Sequence, residues 1–407
     1  MDTKYLQHYA EPEVHCLQDF AAYVSEVYDH SLVIPAYKES NDFLQGYLDG
    51  ALAEAANLLI LVINQPCSDV DEHPQQQLAD TALNSGQVLW KAENLSLIKP
   101  QSHQCSILLV NRFSQGRRID DKQGVGLARK IGVDIALSLI QRNSIKSSWI
   151  CCSDADATLP DNYFHALKHL PNKSAAALYS FKHRDKNNRL STATQLYEKA
   201  LHYYVDGLKF AGSKFAFHTI GSTLAVQADF YAKVRGFPKR SAGEDFYLLN
   251  KLAKLGPIEN ITAATIIIEP RLSDRVPFGT GPAVSKILEL DAPNEDYLYY
   301  HPQLFDELKA CLKAMQKLWA QREDFDAWSN QLTTPCKQAL NQLRIEKLFQ
   351  HIQDNIKSEA QCLAHTHNWF DAFRTLKFLH YLQQDHYPQM PLHQAMASAS
   401  FYKDCSK

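Results

Sequence analysis

The sequence predicts an α/β protein: a mostly parallel sheet with helices on both faces, continued by an α-helical C-terminal region. Three observations carry this. Short apolar runs recur at residues 30–35, 58–64, 106–110 and 148–152, each bounded by polar or turn residues. Segments with apolar residues at helical spacing, 43–56 and 124–139, lie between them, and strands alternating with helices build parallel sheets covered on both faces. Beyond about residue 285 the strand-like runs stop and helical spacing alone remains.

Taken in order, residues 6–28 read as a leading helix of mixed polarity. The β-branched run 30–35, closed by Pro35, is the first strand. The second strand, 58–64, is apolar throughout. The polar stretch 65–77, with Pro66 and Pro74, reads as a loop. Residues 106–110 form the third strand, a helix opened by glycines spans 124–139, and 148–152 is the fourth strand. Further on, 197–217 is an aromatic helix, 221–226 a strand, 228–234 a short helix and 236–238 a turn. Phe246, Leu248, Leu249, Leu252 and Leu255 make a helical stripe, and 266–268 reads as an edge strand. Leu304 to Leu318, Leu340 to Ile352 and Phe370 to Leu382 repeat apolar residues at helical spacing. The expected division is therefore 1–285 for the sheet domain and 286–407 for a helical region that packs on it, recognises an acceptor or forms a homodimer.

Composition excludes several classes. The 407 residues carry a formal charge of -3 with no run of Lys or Arg, which argues against a nucleic-acid binder. Nine Cys residues are scattered, with no pair at zinc spacing. Cys151 and Cys152 point to opposite faces of one strand and read as small hydrophobes. Met1-Asp2-Thr3-Lys4-Tyr5 is no apolar signal segment, and the run 58–63 is far too short to span a bilayer. The expectation is a cytoplasmic, reduced, soluble enzyme whose membrane contact is at most peripheral.

The chemistry is concentrated at Trp149-Ile150-Cys151-Cys152-Ser153-Asp154-Ala155-Asp156. A buried strand stops at two carboxylates one residue apart. Ligands of open α/β sheets collect at carboxyl ends of strands. Two crowded carboxylates repel unless a cation lies between them. Oxygen ligands with little else suit Mg²⁺ or Mn²⁺, which keep waters and a substrate phosphate in the shell. The alternative is a loop with two solvated aspartates.

Three further segments have two readings each. Gly124 and Gly126 either bring backbone amides to a phosphate at a helix start or permit close packing. The glycines follow the third strand rather than the first, so a dinucleotide fingerprint is excluded, and no Walker pattern is present. Arg129 contacts a phosphate, anchors the loop or makes a structural salt bridge. Glu244 and Asp245 either complement a helix macrodipole or supply a base for a sugar hydroxyl.

The order of these motifs resembles the family 2 glycosyltransferases with the GT-A fold. Pro35-Ala36-Tyr37-Lys38-Glu39 follows the first strand; the glycine and Ala-Arg segment spans 124–132; Asp154-Ala155-Asp156 has the DxD form; segment 221–238 and Gly243-Glu244-Asp245 complete the series. The resemblance covers about residues 30–260. It implies that Pro35, Ala36, Tyr37 and Glu39 line a nucleotide site. It implies that Asp154 contacts the nucleotide side of a nucleotide-diphospho-sugar donor and that Asp156 coordinates the metal. Asp245, or else Glu244, would activate the acceptor hydroxyl for inverting transfer.

Departures are visible. The second strand ends Asn64-Gln65-Pro66 where the family has acids, so Asp69 or Asp71 stands in or base recognition differs. Arg129-Lys130 replaces the usual Arg-Asn. The Gln-x-x-Arg-Trp motif of processive synthases is absent. Residues 269–281 hold Arg271, Arg275, small hydroxyls and two glycines, and read as a lid over a diphosphate or as a linker. The rivals are a nucleotidyltransferase on a similar fold and a non-catalytic nucleotide-sugar-binding protein.

Overall fold

The computed structural model describes residues 3–24, 26–272 and 279–402. β1 (His30–Ala36) and β2 (Asn57–Asn64) form its centre, and every residue of β2 is buried, so both faces of the sheet are covered there. β3 (Gly86–Ala92) and β4 (Leu95–Pro100) make an antiparallel hairpin turned at Glu93-Asn94, with Glu93 at φ 51°. β5 (Ser106–Arg112), β6 (Trp149–Cys152), β7 (Ala157–Thr158), β8 (Ala176–His183), β9 (Leu224–Gln227) and β10 (Ile258–Ile268) complete the sheet.

The strand order is β3-β4-β5-β2-β1-β6-β9-β8-β10-β7. β5, β2, β1 and β6 are parallel; β9 runs against both β6 and β8; β8 and β10 are parallel. The α/β, mostly parallel sheet and the helical C-terminal region expected from the sequence are both present. After β1 the chain builds outward through β2 and β5, then returns to place β6 on the other side of β1. The strand order therefore reverses at the carboxyl ends of β1 and β6, a switch point, and open α/β sheets bind ligands in the crevice outside such a reversal.

The helix Gly124–Gln141 lies on β1 and β2. A Cβ on Gly132 would lie 2.3 Å from Val33 Cγ1, so glycine sets how closely helix and sheet approach. At the helix start, Gly124 takes φ 41° and a Cβ on Gly126 would lie 2.5 Å from the Pro238 carbonyl oxygen. Of the two readings of these glycines, close packing is the one whose contacts are present.

Several elements differ from expectation. The leading helix is three short pieces, Thr3–His8, Pro12–Leu17 and Phe20–Tyr23, because Pro12 cannot continue a helix. The segment 43–56 stops at Leu48, before Gly50, and resumes as a 3₁₀ turn. The stretch 65–77 gives way to the helix His73–Asn84, with Pro74 in its first turn. Residues 221–223 are a 3₁₀ turn, so the strand there begins at Leu224.

The chain divides into two compact units, residues 1–184 with 219–279, and residues 185–218 with 280–407. The second unit takes the helix Arg189–Ala211 from inside the first segment. That helix opens with a capping box between Asn188 and Ser191 and closes at Gly212, φ 79°. Within this unit a Cβ on Gly207 would meet the Phe305 ring at 2.5 Å. Leu304, Leu308, Cys311 and Met315 along the helix Gln303–Met315, and Leu318 just beyond it, are buried, and Trp328 donates to the Ala314 carbonyl at 2.9 Å. Among the described residues no helix is long and apolar enough to cross a membrane.

Candidate functional site

β6 pairs in register with β1, Val33 opposite Cys152, and the Ser153 N–H donates to the Val33 carbonyl at 3.0 Å. This fixes Asp154 just beyond the edge of the sheet. Burial pushes the Cys152 thiol up to about 12, which keeps it protonated and inert at neutral pH.

Arg129, one turn into the glycine-led helix, is 3% exposed. Its Nη2 donates to Asp154 Oδ1 at 2.5 Å and its Nε to Glu244 Oε1 at 2.8 Å. Its Nη1 reaches the carbonyls of Gly221 at 3.3 Å and Ser153 at 3.5 Å. Of the three readings of Arg129, the loop anchor and the salt bridge are the ones whose contacts the described residues supply: the guanidinium is enclosed and reaches the β6 edge through Asp154. Gly221 makes room for it, since a Cβ there would lie 2.5 Å from Nη2.

Glu244, 4% exposed, is held by this pair at the start of the helix Glu244–Leu252. A buried, ion-paired carboxylate is poorly placed to take a proton from an incoming hydroxyl. Asp245 beside it is partly buried and accepts the Phe246 N–H at 2.7 Å. Burial, then the Glu244 charge, push its carboxyl up to about 7, while Arg129 pulls the other way. That value suits a general base near neutral pH.

Asp156 is held from a third direction. Arg271, just past β10, pairs through Nε with Asp156 Oδ2 at 2.7 Å. Its Nη1 donates to both carboxylate oxygens of Glu39, at 2.8 and 2.9 Å. The loop ends are fixed by backbone: the Glu269 N–H donates to the Asp156 carbonyl at 2.9 Å, and β7 pairs with Ile267 and Ile268. Arg184, after β8, pairs with Glu269. Arg275 lies outside the described residues.

Of the β1 segment, Pro35 and Ala36 are buried within the strand, and Tyr37 and Glu39 reach the edge. The Tyr37 hydroxyl donates to Asp69 Oδ2 at 2.8 Å, and Lys38, at φ 52°, approaches the same oxygen at 3.1 Å. Burial raises the Asp69 carboxyl, but hydrogen bonds from Tyr37, the Asp71 N–H and Lys38 outweigh it and leave it below the ordinary value. So Asp69 is the acid that meets β1 after the non-acidic end of β2. Asp71 caps His73 instead.

Around the crevice, Glu39, Asp154, Asp156, Glu244 and Asp245 share the guanidiniums of Arg129 and Arg271. Sequence reasoning missed Arg184 and Glu269 as a brace because the run 176–183 was not read as a strand. Its apolar residues, Ala176, Ala177, Leu178, Tyr179 and Phe181, carried the signal. Among the described residues no three His, Cys, Asp or Glu side chains form a ready metal cage. The oxygen donors of Asp154 and Asp156 nevertheless fit a Mg²⁺ or Mn²⁺ ion held by one or two carboxylates and completed by water and phosphate.

No protein-family model matches the chain. No curated protein matches it. A solved structure of GalNAc-T7 with UDP, GalNAc and Mn²⁺ aligns over 90% of this chain and 59% of its own, with 13% identity and a TM-score of 0.36. The chain thus spans less than two thirds of that protein's length.

Proposed function

We propose that this chain is a glycosyltransferase of the GT-A kind, moving a sugar from a nucleotide-diphosphate donor to a hydroxyl acceptor with inversion. The observation that carries the reading is the placement of Asp245. A carboxyl pushed up to about 7 stands beside a buried Glu244–Arg129–Asp154 chain that leads to the aspartate pair at the β6 edge. The motif order of the family 2 enzymes gives the same assignment.

In this reading Tyr37 and Asp69, at the ends of β1 and β2, border the nucleotide. Asp156, together with Asp154, would hold a divalent cation. That cation, when bound, neutralises the charge growing on the leaving diphosphate. Arg129 fixes the Asp154 carboxylate so that its position does not depend on solvent. Asp245 accepts the proton of the acceptor hydroxyl at its free oxygen as the new glycosidic bond forms, and the donor's anomeric C–O bond breaks toward the diphosphate. Eight described cysteines are free thiols, which suits a reducing compartment and a cytoplasmic site of action.

The test is a thermal-shift panel of UDP, GDP, CDP, ADP and dTDP with and without Mn²⁺. Ligands that bind the folded state raise its stability with log concentration. One nucleotide diphosphate stabilising the protein only with metal, an effect lost in Asp156→Ala, supports the reading. No stabilisation by any of them removes it.

A further inference from the structure

Arg271 occupies the position a cation must take at the DxD edge. Its guanidinium lies between Asp156 and Glu39, with Nε 2.7 Å from one carboxylate and Nη1 2.8 Å from the other. The side chains of Asp156 and Glu39 are only 16% and 11% exposed, so water alone compensates them poorly. Asp154, the other aspartate of the pair, is committed to Arg129 at 2.5 Å.

Charge balance governs which cation holds this position. Among the described residues four carboxylates, Glu39, Asp154, Asp156 and Glu244, pair with two guanidiniums, Arg129 and Arg271, and the Asp245 carboxyl lies in the field of Arg129, so the described part of the pocket is acidic. A diphosphate entering it meets net repulsion. One divalent ion at Asp156 lowers the excess negative charge, but it needs the carboxylate oxygen that Arg271 holds. The two cations compete for one anion.

We propose that Arg271 is a resident counter-cation that a divalent metal displaces from Asp156, and that the displaced guanidinium then pairs with the diphosphate. Metal alone must break the Arg271 ion pair and so binds weakly. Metal with diphosphate recovers the lost pairing, because Arg271 exchanges a carboxylate for a phosphate of similar geometry. Metal and diphosphate therefore bind with positive coupling, and the coupling passes through Arg271. The proposal rests on the transferase reading only for the identity of the phosphate ligand.

The experiment is calorimetric titration of Mn²⁺ alone, and of inorganic pyrophosphate at saturating Mn²⁺. The proteins are wild type, Arg271→Ala, Arg271→Lys, Asp156→Ala and the double variant. Arg271→Ala is expected to bind Mn²⁺ alone roughly tenfold more tightly and pyrophosphate roughly tenfold more weakly, the size of a partly buried ion pair. Arg271→Lys, which keeps the charge but loses the fork, falls between. In the Asp156→Ala background, Arg271→Ala no longer strengthens Mn²⁺ binding. Unchanged or weaker Mn²⁺ binding by Arg271→Ala overturns the proposal. So does a gain that persists without Asp156, which would mark a general field effect rather than competition. The Mn²⁺ arm needs no nucleotide: if the nucleotide panel is silent while the Mn²⁺ competition holds, the transferase reading fails and this one stands.

Discussion

Arg129→Met removes the central cation of the buried chain. The structure sets the size of the effect. At 3% exposure Arg129 donates to Asp154 at 2.5 Å and to Glu244 at 2.8 Å, and it caps the carbonyls of Gly221 and Ser153. Deleting one partner of a buried ion pair costs about 3–5 kcal/mol, because the other charge stays buried and uncompensated. Here two carboxylates lose their partner, one of them partly exposed and able to recruit water. We therefore expect a loss of about 4 kcal/mol, a large share of the ~5–15 kcal/mol that holds a domain folded. Arg129→Lys keeps one charge but cannot reach both carboxylates with a planar fork, and should lose about half as much. The kinetic consequence has a definite sign. Arg129 pulls the Asp245 carboxyl down against burial and Glu244. Removing it raises that carboxyl above about 7, so the rising limb of the pH–rate profile moves to higher pH. Urea unfolding at pH 7 reads the first effect, and kcat/KM against pH, measured on Arg129→Met at a temperature where it stays folded, reads the second. An Arg129→Met protein within 1 kcal/mol of wild type, or a pH limb that stays in place, would refute the reasoning.

Other outcomes rest on the same contacts. Asp245→Asn should abolish transfer and leave nucleotide-diphosphate binding intact; transfer at the normal rate would remove Asp245 from the mechanism. The same variant should be more stable than wild type at pH 8 by on the order of 1–3 kcal/mol, and little different at pH 4. The sign comes from the raised carboxyl: its protonated form stabilises the fold below pH 3.8, and that contribution is lost as pH rises to about 7. Asp134→Ala should cost about 3–5 kcal/mol in urea unfolding, since it strands buried Lys130, and Asp134→Leu with Lys130→Met should recover part of the loss. Gly132→Ala should cost about 1–3 kcal/mol by overpacking against Val33, and a neutral result would show that the helix can lift off the sheet freely.

The sheet was legible because its central strands are continuous apolar runs, and a buried parallel strand has no other sequence appearance. β1, β2, β5 and β6 all announced themselves this way. The hairpin β3–β4 did not, because β3 alternates exposed and half-buried residues around Trp90 and turns on Glu93-Asn94, a pair without glycine. The glycine pattern left one question open. Gly124, Gly126 and Gly132 were visible, but sequence cannot say whether a missing Cβ faces a phosphate or another backbone. In the site, Asp154, Asp156, Glu244 and Asp245 were legible as acids at element ends. Their pairing was not, since Arg129 lies 115 residues from Glu244 and Arg271 lies 232 from Glu39.

The departure at Lys130 is the place where sequence and structure explain each other. In the sequence Arg129-Lys130 stands where the family it resembles has Arg-Asn. In the fold the two side chains leave the helix toward different partners. Lys130 turns inward, 4% exposed, and donates to Asp134 at 2.7 Å, to the Tyr5 hydroxyl at 2.8 Å and to the Tyr9 carbonyl at 2.8 Å. Asp134 also accepts from Tyr5 at 2.6 Å, from Tyr231 at 2.9 Å and from the Glu11 N–H at 2.9 Å. The leading segment, too short and broken to fold by itself, is thus fastened to the helix that carries Arg129. A neutral side chain at 130 would leave Asp134 buried without a counter-charge, so the lysine belongs with the N-terminal segment rather than with the ligand. One helix therefore holds two buried ion-pair groups on adjacent residues. Arg129 orders the carboxylates of the crevice, and Lys130 ties down the segment that covers the helix behind it. Loosening the second should disturb the first: Lys130→Met is expected to lower stability and broaden the pH limb set by Asp245 without changing the set of nucleotides bound. A Lys130→Met protein with weakened stability but a wild-type pH profile would show that the two groups, though adjacent in sequence, act independently.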